Sequence, residues 1–136
     1  MEEQDKLESG FQINNMILLE SSFKRINNVS FGDNIGNDLS INVDVNVKDK
    51  TIIVAEEVSV VQKFQETEQV NIKVKMVGIF DVIGNSTITD LNEFGRVNGA
   101  AIIFPYIREH ITNLSLKGGI GPILLPPVNF TKLKQE

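Results

Sequence analysis

The chain has 136 residues, of which 41% are hydrophobic, and a formal net charge of −5. That length and apolar content suit one ordinary domain with a core, which argues against wholesale disorder. The sequence holds no cysteine, so disulfides, a thiolate nucleophile and cysteine metal sites are excluded, and no run of about 18 apolar residues is present to cross a bilayer.

The chain opens Met1-Glu2-Glu3-Gln4-Asp5, acidic and polar where a secretory signal is basic and then apolar. A cytoplasmic location is therefore expected, and residues 1–10 are expected to be flexible. Phe11 to Phe23 reads as a first strand, apolar on both faces at Met16-Ile17-Leu18-Leu19. Asn27-Asn28 and the stretch Gly32 to Asp38 are turn chemistry. Leu39, Ile41, Val43, Val45 and Val47 then alternate with Ser40, Asn42, Asp44 and Asn46, the period of a strand with one apolar face.

Lys48-Asp49-Lys50 predicts a hairpin, with Thr51 to Val61 as the return strand. Both of its faces are largely apolar, so it is expected to be central or buried on two sides. Gln62 to Gln69 is polar and predicts a second turn. Val70, Ile72, Val74 and Met76 alternate with Asn71, Lys73 and Lys75 in a fourth strand that runs through Phe80. Gly78 within it predicts a bulge or a close backbone approach.

The period changes after the turn Ile83-Gly84-Asn85-Ser86. Asp90 with Glu93 resembles a capping box for a short helix ending near Gly95. A longer helix is predicted from about Asn98 to Lys117, with Ile103, Ile107, Ile111 and Leu114 as one stripe. Pro105 should kink it or begin its second part, and Gly118-Gly119-Ile120-Gly121-Pro122 stops it. Ile123 to Pro127 is extended, and Asn129 is placed to cap a short terminal helix. Strands followed by helices indicate an α+β fold, with a four-stranded antiparallel sheet and helices packed on one face. Residues 1–136 form a single domain in this reading. The surplus apolar surface on the long helix and the third strand predicts self-association.

Catalytic constellations are not found. His110 would need a serine or threonine nearby in space to act as a base. Glu56 and Glu57 are adjacent on a strand and point to opposite faces, so they cannot flank one bond; one is expected to face solvent and the other to meet a cation such as Lys73. Gly118 to Gly121 follows a helix instead of opening one, which does not suit a phosphate loop. No enzyme, no cofactor and no metal is expected. The cations are scattered without interleaved aromatics, so nucleic acid is not expected as a partner, nor is membrane insertion.

The segment Ile103-Phe104-Pro105-Tyr106-Ile107-Arg108-Glu109-His110-Ile111-Thr112 resembles the helix motif of the SecB family of protein-export chaperones. Pro127-Val128-Asn129-Phe130 resembles that family's second motif at its usual distance downstream. Gly78-Ile79-Phe80 resembles the end of the family's fourth strand, and Phe11-Gln12-Ile13 with Glu20 and Ser22-Phe23 resembles the opening of its first. The resemblance implies a dimer of dimers, and a homotetramer that binds unfolded or precursor polypeptides in apolar grooves without nucleotide. On that basis Ile41, Val43, Val45 and Phe80 are candidate client-binding residues. Ile72, Val74, Met76, Ile103, Tyr106 and Ile107 are candidates for the interface between copies. The family's export members dock on the SecA motor through an acidic sheet surface. Glu20 keeps one such acid, Lys24 and Lys73 stand where acids are usual, and Asn71 replaces an apolar contact. The family's usual tryptophan before the second strand is replaced by Asn37-Asp38-Leu39. The charge departures weigh against docking on SecA. The resemblance implies an ATP-independent holdase for unfolded polypeptides, with or without export; the alternatives are a dedicated SecB-like chaperone of an antitoxin or other single partner, and an oligomeric interaction protein of the same fold without client activity.

Overall fold

The computed structural model describes residues 10–84 and 89–133. The expected flexibility of residues 1–10 therefore falls, except at Gly10, outside the described residues, as does the Asn85-Ser86 part of the third turn. Four strands come first: β1 (Phe11–Arg25), β2 (Ile35–Lys48), β3 (Thr51–Phe64) and β4 (Thr67–Val82). They form one antiparallel sheet in the order β1-β4-β3-β2, so β3 is central, as expected, and β1 and β2 are its edges.

The strands are longer than their hydrophobic patterns suggest. The polar stretch expected to be a broad turn contracts to Gln65-Glu66, both at positive φ (50° and 70°). A two-residue turn of that hand matches the strands' own twist, so pairing continues to Phe64 and Thr67. The first hairpin is equally tight, turning at Asp49-Lys50 between the paired Lys48 and Thr51.

One face of the sheet is covered. Ile52, Val54, Val58 and Val60 of β3 and Val70, Ile72, Val74 and Phe80 of β4 are buried there. Above them lie α1 (Leu91–Phe94), a π-helical turn (Gly95–Gly99) and α2 (Ala100–Lys117). Asp90 caps α1 as predicted, its Oδ1 accepting from the Glu93 amide at 3.0 Å. The predicted stop at Gly95 is corrected, because the helical run continues through the π turn into α2. Gly95 serves proximity instead: a Cβ there would come within 2.8 Å of methyls on Ile52 and Val45, and one at Gly99 within 2.9 Å of Val54. These glycines lower the helical backbone onto β2 and β3.

Gly78 follows the same logic. It pairs regularly with Met16, and the irregularities of register lie in β1, at Asn14 and Leu19. A Cβ on Gly78 would sit 2.9 Å from the Phe80 ring and 3.0 Å from Ile103, so the position is a close approach of side chains and carries no bulge. Pro105 lies inside α2, which runs unbroken from Ala100 to Lys117.

Gly119, at φ 72°, ends α2. Its amide donates to Leu116 O and that of Ile120 to Ser115 O, which satisfies two carbonyls of the last turn. The chain then runs back along α2. Thr112 Oγ1 donates to Ile123 O at 2.9 Å, and the Ile123 amide donates to Ser115 Oγ at 2.9 Å. Further along, Phe130 meets Phe104 edge-on with ring centroids 5.7 Å apart. Asn129 caps a turn, accepting from the Thr131 amide, and not the terminal helix predicted for it.

Candidate binding surface

The register assigns every strand residue to a face. The helix-side face of β2 carries Leu39, Ile41, Val43, Val45 and Val47, opposite Val60, Val58, Glu56, Val54 and Ile52 of β3. The β3 partners are all buried, whereas the β2 row is only half-buried. Helical cover thus fades toward this edge. A cavity of about 440 Å³ opens here, lined by Ile41, Val43, Arg96 and Leu133 and, on the open face, by Ser40, Asn42 and Asp44 of β2 with Ala55 and Glu57 of β3 and Lys75 of β4. Ile41, Val43 and Val45 therefore stand together as one accessible apolar row.

Phe80 is not part of it. Its side chain is completely buried, packed edge-on against Phe11 and Phe94 at 6.0 and 6.3 Å. The aromatic at the end of β4 is core, which corrects its assignment as groove lining. A similar correction applies to five of the six interface candidates. Ile72, Val74, Met76, Ile103 and Ile107 are all buried between the sheet and α2 of the same chain. The helical stripe is satisfied by its own sheet. Tyr106 alone is exposed, at 53%. Ile13 and Leu18 of β1, which were not among the interface candidates, share the helix-side face with it and are each 46% exposed.

The open face gathers the docking candidates. Glu20 pairs with Lys75, Ser22 with Lys73 and Lys24 with Asn71 on alternate rungs of β1 and β4. Glu20, Lys24, Asn71 and Lys73 therefore share one side. Lys73 Nζ lies 3.6 Å from Glu57 Oε1, the ion pair anticipated from the sequence. The other half of that expectation is corrected: Glu56 faces the interior, not solvent. It is fully buried between Val43 and Met76, and neither carboxyl oxygen has a hydrogen-bond partner among the described residues. Desolvation by burial pushes its carboxyl from an ordinary 4.5 up to about 8.

His110 does meet a hydroxyl, with Nε2 2.8 Å from Ser21 Oγ. No carboxylate is bonded to its ring among the described residues, and Glu109 instead accepts from Asn113 at 2.8 Å. The contact ties α2 to β1. Among the described residues no group of three or more His, Cys, Asp or Glu gathers to hold a metal. No described helix is long and apolar enough to cross a membrane.

The decisive comparison is a match of residues 3–136 to the family model described as preprotein translocase subunit SecB. The chain belongs to the SecB family. SecB-family chaperones are non-catalytic. Relatives include a protein-export protein SecB of Saccharophagus degradans, 35% identical over 101 residues that cover 74% of this chain and 59% of that one. An uncharacterised protein of Methanocaldococcus jannaschii is 30% identical over 96 residues, covering 71% of this chain and 61% of that one. The chain thus spans about three fifths of the length of these curated relatives. Among solved structures, a SecB-like chaperone of Mycobacterium tuberculosis, in complex with a peptide from an antitoxin, superposes with a TM-score of 0.76. It is 18% identical, with 88% of this chain and 91% of that chain covered. That likeness establishes a shared fold. In the present chain Phe104 and Phe130 join the two SecB-like sequence motifs in one contact.

Proposed function

We propose that this chain is an ATP-independent chaperone that holds an unfolded stretch of a partner polypeptide against the apolar row of β2. The half-covered line Leu39 to Val47, whose Ile41 and Val43 border a cavity of about 440 Å³, is the observation that carries it. Burying apolar client side chains there contributes roughly 25 cal/mol per Å² and is indifferent to sequence, which suits a holdase. The form best supported is a chaperone dedicated to one partner, such as an antitoxin. The Mycobacterium tuberculosis relative of this fold is bound to an antitoxin peptide. The Lys24 and Lys73 substitutions also weigh against docking on SecA, because reversed charges at an interface oppose association.

Self-association, as a dimer or a dimer of dimers, is part of this reading. Its interface is assigned to Tyr106 with Ile13 and Leu18, which are among the apolar side chains that α2 and β1 leave uncovered on the helix side. The test mixes pure protein with chemically unfolded clients and follows refolding and light scattering, alongside purification of the chain from its own cell. A delay in refolding near equimolar ratio supports capture. Tight co-purification of one aggregation-prone protein, with weak effects on unrelated clients, supports the dedicated form. No delay and no co-purifying protein would contradict both.

A further inference from the structure

Among the described residues three buried side-chain polar atoms lack a hydrogen-bond partner: both carboxyl oxygens of Glu56 and the Nε of Arg96. An orphaned acid and an orphaned cationic donor are each costly alone and complementary together. The fold brings them to one place. β2 pairs with β3 without a shift in register, which holds Val43 opposite Glu56 and, in the next pair on the same face, Val45 opposite Val54. Gly95 lies over that second pair, since a Cβ there would meet Val45 at 2.8 Å and Val54 at 3.2 Å. Arg96 follows Gly95 in the π-helical turn, and its side chain borders the cavity with Ile41 and Val43. Its guanidinium is engaged with Glu93, three residues earlier, whose side chain is about half exposed. Single π turns of this kind recur at functional sites. The other elements around Glu56 face it with uncharged side chains. β2 and β4 present Val43 and Met76, α2 is uncharged from Ala100 to Ile107, and the C-terminal segment brings Leu133. In α1, Glu93 is held by Arg96, and Asp90 caps the helix. Asp44, Glu57 and Lys75 border the cavity from the open face of the sheet.

We infer that Glu56 and Arg96 form a switch, in which Arg96 exchanges its surface partner Glu93 for the buried carboxylate of Glu56 and so closes over Val43. The inference rests on the chaperone reading above and adds its regulation. While Glu56 is protonated, Arg96 stays with Glu93 and the apolar row of β2 is open. Once Glu56 ionises, a charge lies buried without a partner, and the guanidinium, which cannot lose its own proton, is the cation on the same layer of the molecule. The arginine side chain is long and turns about its own bonds, so the exchange needs no movement of the backbone. The guanidinium then lies across Val43, in the middle of the row that receives the client. Burial pushes the Glu56 carboxyl up to about 8, so the open form prevails at neutral and mildly acid pH and the closed form at alkaline pH. A client seated on Val43 displaces Arg96 and keeps water from Glu56, so capture strengthens as the pH falls through that value.

The test follows the whole chain from about pH 6 to about pH 9.5, a range that brackets the Glu56 ionisation. The carbon-13 resonances of Glu56 Cδ and Arg96 Cζ report the ionisation and the change of partner. Affinity for a permanently unfolded, carboxymethylated protein reports the closure. Glu56→Gln keeps a neutral side chain of the same shape at every pH and serves as the open form. The Arg96 resonance should move with the Glu56 titration in the unaltered protein and stay fixed in E56Q. Affinity should fall by about tenfold across the range in the unaltered protein, the effect of one charge-assisted hydrogen bond that the client must break, and by no more than about twofold in E56Q. Glu93→Gln, which removes the competing partner of Arg96, should shift both midpoints to lower pH. A Glu56 that stays protonated throughout, an Arg96 resonance that ignores its ionisation, or an equal loss of affinity in the unaltered protein and E56Q overturns the switch. A client that binds at no pH contradicts the chaperone reading instead, and the two resonances still decide whether the partners exchange.

Discussion

Glu56 and Glu57 are chain neighbours with the same side chain, yet they belong to two different surfaces. Glu57 is on the open face of β3, partly exposed and 3.6 Å from Lys73. Glu56 is on the helix-side face, fully buried between valine and methionine without a partner. The strand's period of two is the whole cause. The difference shows how the molecule divides its work. The helix-side face is sealed over β3 and β4 by α2 and opens along β2 and at Ile13 and Leu18 of β1, while the open face stays mixed in charge and half-exposed. Apolar character therefore stabilises the fold in the middle of this face and is left uncovered at its margins, along β2 and at Ile13 and Leu18 of β1.

The sharpest way to break this contrast is to cut matching side chains on the two faces. Ile103→Ala, beneath α2 and fully buried, should cost roughly 2–5 kcal/mol in chemical denaturation. Ile53→Ala on the open face should cost less than half as much. Equal losses would mean that the open face is sealed too.

Next in size is Glu56. Below about pH 4.5 its carboxyl is protonated in both folded and unfolded chains, so burial adds no ionisation cost. Between 4.5 and about 8 the unfolded chain ionises while the folded chain stays protonated, and stability falls by about 1.4 kcal/mol per pH unit. Glu56→Leu should therefore stabilise the protein by an amount on the order of 3 kcal/mol at pH 7 and should flatten the decline between pH 5 and 8. An unchanged pH profile in the variant would show that Glu56 is solvated or paired. The smallest effect belongs to the other glutamate. Lys73→Ala should change stability by less than about 1 kcal/mol, because its ion pair is partly exposed. Thermal unfolding of the two variants side by side checks the ranking.

Much of this was legible in the residues. Alternation from Leu39 to Val47 and from Val70 to Met76 marked two strands, and the clustering of strands before helices gave the fold class. The fate of Glu56 was also within reach. A two-residue turn at Asp49-Lys50 pairs Val43 with Glu56, and so places that glutamate among the apolar residues of both strands. It was missed because both faces of β3 look apolar, so neither could be named as the inner one without the register.

Other features depend on tertiary packing that no local pattern encodes. Gly95 reads as a helix stop, but its meaning is a 2.8 Å approach to Ile52 and Val45 from distant strands. The stripe Ile103-Ile107 could serve its own sheet or a second copy equally well by periodicity, and the sheet claims it. Phe80 is covered by Phe11, 69 residues earlier, and by Phe94, 14 residues later. The irregularity of β1 and the regularity of β2 emerge only from pairing.

The central claim is that β2, and not the open face, receives the client. Because the chain has no cysteine, a single thiol reports on a single place. Val43→Cys and Val77→Cys put one probe on each face, and the rate of thiol labelling is measured with and without a saturating unfolded client. Client should slow labelling at position 43 severalfold and leave position 77 unaffected. Protection at 77 with none at 43 would contradict the account.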